Sequence, residues 1–184
     1  MTRRDTLIAS LAVLVAIAIG YLWLSPSGLQ QAPDVTFPTL DGKQLSLKSL
    51  HGRPVLINFW ATTCPGCVEE IPQLAALYRE LAPKGLEIIG VAMYYDPPDQ
   101  VMAMSKQRAI PYPIALDIKG RASQAFGDIK LTPTSFLIAP DGRIVKQKIG
   151  NVDVRALRQQ ILDMMKQTAA MTDCHGAQCA RRAG

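Results

Sequence analysis

Apolar residues occur along this chain in three patterns, and each pattern predicts a different element. The first is an unbroken run, Leu7 to Leu24, interrupted in polarity only by Ser10, Gly20 and the hydroxyl of Tyr21. As a helix this run would span about 27 Å, close to the hydrocarbon thickness of a bilayer. The second pattern is the short, nearly continuous apolar run bounded by turn residues, as expected of strands buried on both faces. Pro54–Trp60 and Leu86–Met93 are of this kind, with Ile114–Leu116 and Thr134–Ile138 as shorter examples. The third is helical spacing. Val68, Ile71, Leu74, Ala75, Tyr78 and Leu81 recur at i, i+3, i+4 intervals and stop at Gly85. Asp96–Arg108, entered through Pro97 and Pro98, reads as a second helix, Arg121–Phe126 as a short one and Val154–Met165 as a closing amphipathic one. Asp41-Gly42, between Val35–Phe37 and Leu45–Leu47, signals a hairpin, and Pro140-Asp141-Gly142 leads into a strand over Arg143–Ile149 that alternates inward and outward. Strands separated by helices imply parallel crossovers, and the late hairpin adds antiparallel strands. The predicted fold is α/β: a mixed central sheet with helices on both faces, preceded by an N-terminal β-hairpin and a single transmembrane helix.

Charge gives the long run an orientation. Arg3 and Arg4 precede it, and no Lys or Arg follows until Lys43. The positive-inside rule leaves residues 1–6 in the cytoplasm and everything after Leu24 outside, with Tyr21 and Trp23 at the outer interface. The run is longer than the usual signal-peptide core, and Ser25-Pro26-Ser27 is a poor cleavage site, so residues 7–24 read as an uncleaved anchor. A cleaved signal peptide is the alternative, and it too exports the rest of the chain. Residues 25–33 are a linker of Pro, Gly, Ser and Gln, residues 34–167 a globular domain and residues 168–184 a tail. Read as a bacterial protein, the chain has its domain on the oxidising periplasmic face of the inner membrane. The net charge of +5 comes without a run of Lys or Arg, so nucleic acid is not expected as a partner. The 48% hydrophobic content excludes wholesale disorder.

The four cysteines form two close pairs, Cys64/Cys67 and Cys174/Cys179. Cys64-Pro65-Gly66-Cys67 follows a predicted buried strand and opens a predicted helix. A helix N-terminus presents unpaired N–H groups and partial positive charge, both of which favour a thiolate at the cap position. Cys64 is therefore expected to have a lowered pKa, with Cys67 one turn inside and able to close a disulfide on it. Pro65 suits the first helical position. Attack by Cys64 on a disulfide gives a mixed disulfide, and attack by Cys67 resolves it. A static disulfide or half of a zinc site are the plainer readings. Zinc would need further ligands, and the folded region has no second Cys-x-x-Cys or His pair.

The segment Val55-Leu-Ile-Asn-Phe-Trp-Ala-Thr-Thr-Cys-Pro-Gly-Cys-Val-Glu-Glu-Ile-Pro72 resembles the active-site region of thioredoxin-fold proteins, in particular the membrane-anchored TlpA/ResA-like thiol–disulfide oxidoreductases. The resemblance extends from Leu40-Asp-Gly-Lys43 through Thr132-Pro133-Thr134 to Pro140-Asp-Gly-Arg143. It implies a thioredoxin-like fold, with Cys64 attacking and Cys67 resolving. Trp60 matches the aromatic packed beside the active-site loop, Pro72 the proline within the active-site helix, and Pro133 a cis-proline that leaves the backbone at Thr132 free to pair with a substrate strand. Glu70 matches a carboxylate placed near the cysteines, where a partly buried acid of raised pKa could take the Cys67 proton; Glu69 reads as a surface residue. Asn58 stands where thioredoxin has a buried Asp, Thr63 where it has Trp, and the dipeptide between the cysteines is Pro-Gly in place of Gly-Pro.

The function expected from the residues and the resemblance together is exchange of disulfides with protein substrates through Cys64/Cys67, in the reducing direction. The expected partners are protein disulfides such as those of apocytochrome c, and a thiol donor in the membrane. No cofactor and no metal are expected. Two other classes compete. A peroxiredoxin-like peroxidase would need Thr three residues before the reactive Cys, where this chain has Ala61. A copper metallochaperone would use the same two thiols as soft ligands, without Met or His between them. His51 reads as a solvated loop residue, Met93-Tyr94-Tyr95 as a strand end, and Met102, Met104, Met164 and Met165 as helix packing. Cys174 and Cys179, flanking His175, read most simply as a short-loop disulfide outside the resemblance.

Overall fold

A computed structural model describes residues 30–182, with side chains placed as far as Thr168. The anchor expected over residues 7–24 lies outside the described residues, and among those described no helix is long and apolar enough to cross a membrane. The core is a five-stranded mixed sheet in the order β5-β4-β3-β6-β7. Its strands are β3 (Val55–Trp60), β4 (Glu87–Ala92), β5 (Ile114–Leu116), β6 (Thr134–Ile138) and β7 (Ile144–Ile149). β3 pairs in parallel with β4, and β4 with β5; β6 runs antiparallel to both β3 and β7. Every residue of the central β3 is buried, as its continuous apolar run requires.

The two faces of the sheet carry different layers. Leu56 and Trp60 of β3, with Ile88, Ala92 and Leu137, pack against α1 (Pro65–Leu81), α2 (Pro98–Gln107) and α4 (Val154–Arg182) through Ile71, Leu74, Val101, Leu157 and Ile161. Val55, Ile57 and Phe59 face the opposite layer, built from Phe37, Leu47, Leu50, Ala122 of α3 (Arg121–Ala125) and Phe126. Phe59, Phe126 and Phe136 meet there edge to face or tilted, with centroids 4.9–6.1 Å apart. The predicted hairpin is present as β1 (Thr36–Pro38) and β2 (Gln44–Ser46), antiparallel. It docks on the β5 edge, where the Leu40 N–H donates to the Ile114 carbonyl at 2.8 Å.

Three boundaries depart from the sequence reading. α2 starts at Pro98, not at Asp96, because Asp96 turns inward to bond Thr62. β7 does not alternate in burial. Ile144, Val145 and Lys146 are half-buried and Gln147, Lys148 and Ile149 exposed, on the edge strand of the sheet. α4 continues from Met165 to Arg182. Apolar periodicity ends at Met165, but good helix formers continue and no proline intervenes. Cys174 and Cys179 fall within this helix.

Candidate active site

β3 ends at Trp60, and the chain turns through Ala61–Thr63 into α1. Cys64 is the N-cap, with extended backbone angles, and its Sγ accepts a hydrogen bond from the Cys67 N–H at 3.2 Å. Pro65 occupies the first helical turn, where its missing N–H costs nothing. Cys64 and Cys67 are joined as a disulfide, with Cα atoms 5.3 Å apart. Their exposure differs: Cys64 is half-buried, whereas Cys67 is 3% exposed. On reduction, a Cys64 thiolate would lie against the helix N-terminus and a donor already in place, conditions that favour the anion. Ala61, three residues before Cys64, is buried and offers no hydroxyl.

The turn is anchored by a residue that the sequence reading assigned to a helix entry. Asp96 is buried, and its carboxylate accepts from the Thr62 backbone N–H at 2.7 Å and from the Thr62 hydroxyl. The Met93 N–H donates to the Trp60 carbonyl at 3.0 Å, so the ends of β3 and β4 are tied together below the cysteines. Tyr94 and Tyr95 beyond them are about half exposed and meet edge to face at 5.3 Å.

The Thr132–Pro133 peptide bond is cis. In the antiparallel register Phe59 faces Thr134, so Pro133 is level with Trp60 one step further on, beside the turn that carries Cys64. Pro133 is buried and Thr132 half-buried. Trp60, 2% exposed, belongs to the same packed cluster as Cys67 and Ile71. It is thus both a core aromatic and a neighbour of the active-site turn. Its indole N–H has no acceptor. Gly90 of β4 makes room for it, since a Cβ there would lie 3.3 Å from that nitrogen and 3.2 Å from the Tyr112 ring.

Glu70, one turn after Cys67 on the same helix face, is 2% exposed. Its Oε1 accepts from the Val152 N–H at 2.6 Å and its Oε2 from the Asn58 amide at 3.2 Å. Asn58 donates also to the Ser135 hydroxyl at 2.9 Å. Burial pushes the Glu70 carboxyl above the usual range, and the Val152 and Asn58 donors oppose the shift without cancelling it. Glu69 is exposed. The eight residues singled out from the sequence, Trp60, Cys64, Pro65, Gly66, Cys67, Glu70, Thr132 and Pro133, thus gather where β3 ends and β6 begins. His51 is exposed and apart from them. Asp96, Ser135 and the segment after β7 were not foreseen. Asp96 carried a signal, an acid before two prolines, that fitted a helix entry equally well.

The chain matches the model of the redoxin family over residues 29–161. It is 35% identical over 133 residues to the thiol-disulfide oxidoreductase ResA of Bacillus thuringiensis subsp. konkukian, covering 72% of this chain and 75% of that protein. It is 30% identical to ResA of Halalkalibacterium halodurans over 176 residues, 91% of this chain and 98% of the relative. Among solved structures, a thioredoxin-family thiol:disulfide interchange protein of Chlorobium tepidum superposes with a TM-score of 0.70 at 27% identity, covering 77% of this chain and 99% of the other. StoA of Bacillus subtilis superposes with a TM-score of 0.61 at 27% identity, covering 70% and 96%. The fold is therefore thioredoxin-like, and with a cysteine pair capping α1 the chain belongs to the redoxin family as a TlpA/ResA-like thiol–disulfide oxidoreductase of the thioredoxin superfamily.

Proposed function

We propose that the protein reduces disulfides of protein substrates, such as those of apocytochrome c, from the periplasmic face of a bacterial inner membrane to which residues 7–24 anchor it. The observation that carries this reading is the asymmetry of the cysteine pair: Cys64 is half-buried at the helix cap, and Cys67 is buried one turn before a buried acid. In the reduced protein the Cys64 thiolate attacks one sulfur of the substrate disulfide and expels the other as a thiolate. Cys67 gives its proton to the Glu70 carboxylate and attacks Cys64 Sγ. The second substrate thiolate leaves, two electrons have passed to the substrate, and the Cys64–Cys67 disulfide is the oxidised product. A dithiol donor in the membrane restores the pair by the reverse exchange. Glu70 serves as base, its raised pKa bringing it nearer to that of a thiol and easing the transfer. Trp60, Pro65 and Gly66 shape the turn. Thr132, ahead of the cis-proline Pro133, offers the substrate a backbone edge beside Cys64.

Two measurements test the reading. Cys64→Ser is expected to abolish reduction of insulin disulfides, and Cys67→Ser to accumulate a covalent substrate adduct on Cys64, seen on a non-reducing gel. Equilibration of the pair with glutathione gives its potential. A potential as oxidising as that of a dedicated disulfide donor, about −120 mV, would overturn the reducing direction.

A further inference from the structure

Three consecutive residues after β7 each hold a different part of the site. The Gly150 N–H donates to the Pro133 carbonyl at 2.8 Å. The Asn151 side-chain amide donates to the Gly66 carbonyl at 3.1 Å, across 85 residues of chain. The Val152 N–H donates to Glu70 Oε1 at 2.6 Å. Gly66 is also a close fit: a Cβ on it would lie 2.8 Å from Asn151 Oδ1, so any other residue there would push the Asn151 side chain off its carbonyl acceptor. The dipeptide between the two cysteines and the segment after the last strand are thus matched in shape and in hydrogen bonding.

The geometry points to Asn151 as a positioning residue for the disulfide chemistry: by locking onto Gly66 it holds the 150–152 segment so that the Val152 N–H stays on the Glu70 carboxylate. This rests on the reading of Glu70 as the base for Cys67. The groups that face Glu70 are few. Cys67 lies on its own helix, and Tyr112, which precedes β5, has its hydroxyl held well above the usual range by burial and by the Glu70 charge. Asn58 from β3, Ser135 beyond it on β6, and Val152 contribute neutral donors or acceptors. No Lys, Arg or His hydrogen-bonds or ion-pairs with Glu70 among the described residues. Two N–H groups are therefore what keep its carboxylate accessible, and one of them hangs on the Asn151 lock. With the lock gone, the carboxyl should hold its proton to higher pH, and Cys67 should lose its acceptor over that range.

The test is a carboxyl titration by 13C NMR on the full chain in its disulfide form, with the Glu70 signal assigned by its absence in Glu70→Gln. We expect Asn151→Ala to raise the Glu70 midpoint by about one pH unit, the size of shift that loss of one charge-assisted hydrogen bond produces. Gly66→Ala should raise it equally, and the double variant should do no more, because each change breaks the same contact. The pH at which Cys67 resolves a mixed disulfide should move in the same direction in Asn151→Ala. An unchanged midpoint in Asn151→Ala, or additive shifts in the double variant, would overturn the assignment. The titration uses no substrate, so failure of the proposed activity would leave its outcome readable.

Discussion

In the proposed mechanism Glu70 takes the Cys67 proton, so its charge is the first thing to test. A carboxylate next to two sulfurs disfavours a second negative charge beside it and so raises the thiol pKa values. Glu70→Gln keeps the size and removes the charge. The alkylation profile with iodoacetamide in the reduced variant should move to lower pH by about one unit, equivalent to about 1.4 kcal/mol. A profile that overlays the parent would leave Glu70 as a buried structural acid. Stability carries a second signature. The folded state raises the Glu70 pKa, so between the ordinary glutamate value of about 4.3 and the raised one the folded chain binds more protons than the unfolded chain. Stability contributed by this group is then fully present below about pH 4.3 and is lost as pH rises through the folded value. Urea midpoints measured across that window should fall with pH in the parent more steeply than in Glu70→Gln, since the amide does not titrate.

The elements that frame the site differ in how far local sequence announces them. β4 packs closely at Gly90, where a Cβ would lie 2.7 Å from Ile114 Cδ1 and press on both Tyr112 and Trp60. Gly90→Ala should destabilise the domain by about 1–3 kcal/mol, read from urea unfolding, and alter the near-ultraviolet signal of Trp60. β3, β5 and β6 are legible in advance because a continuous apolar run between turn residues has few other solutions. α1 is legible because its buried residues follow the helical period from Cys67 through Leu81. The end of α4 is not, because helix propensity continues after the apolar stripe stops. The cysteine pair stands out because so few chemistries need two thiols three residues apart. Asp96 does not, since its partner Thr62 lies 34 residues away and no local pattern encodes such a contact. Gly150 and Val152 are harder still. They act through backbone N–H groups, which nearly every residue possesses and which leave no mark on a side-chain pattern.

At the scale of the whole molecule, the proposed anchor makes a prediction that the globular domain cannot make alone. The full chain should sediment with membranes, stay there in high salt and resist alkaline carbonate, as a spanning helix does. A mature N-terminus near Gly28, found by mass spectrometry, would show instead that the apolar run is a cleaved signal. The connectivity of the sheet has a consequence in time as well. Glu70 waits for Val152, 82 residues further along the chain, before its second oxygen has a donor. At 5–20 residues per second that interval is roughly 4–16 s of synthesis. Throughout it Cys64, Cys67 and Glu70 exist without the 150–152 segment and its hydrogen bonds to Gly66 and Glu70. On the proposed periplasmic location, a chain not yet folded through α4 presents both thiols to passing disulfides. Until β6, β7 and α4 are in place, the nascent protein is a substrate for the class of reaction that it later catalyses.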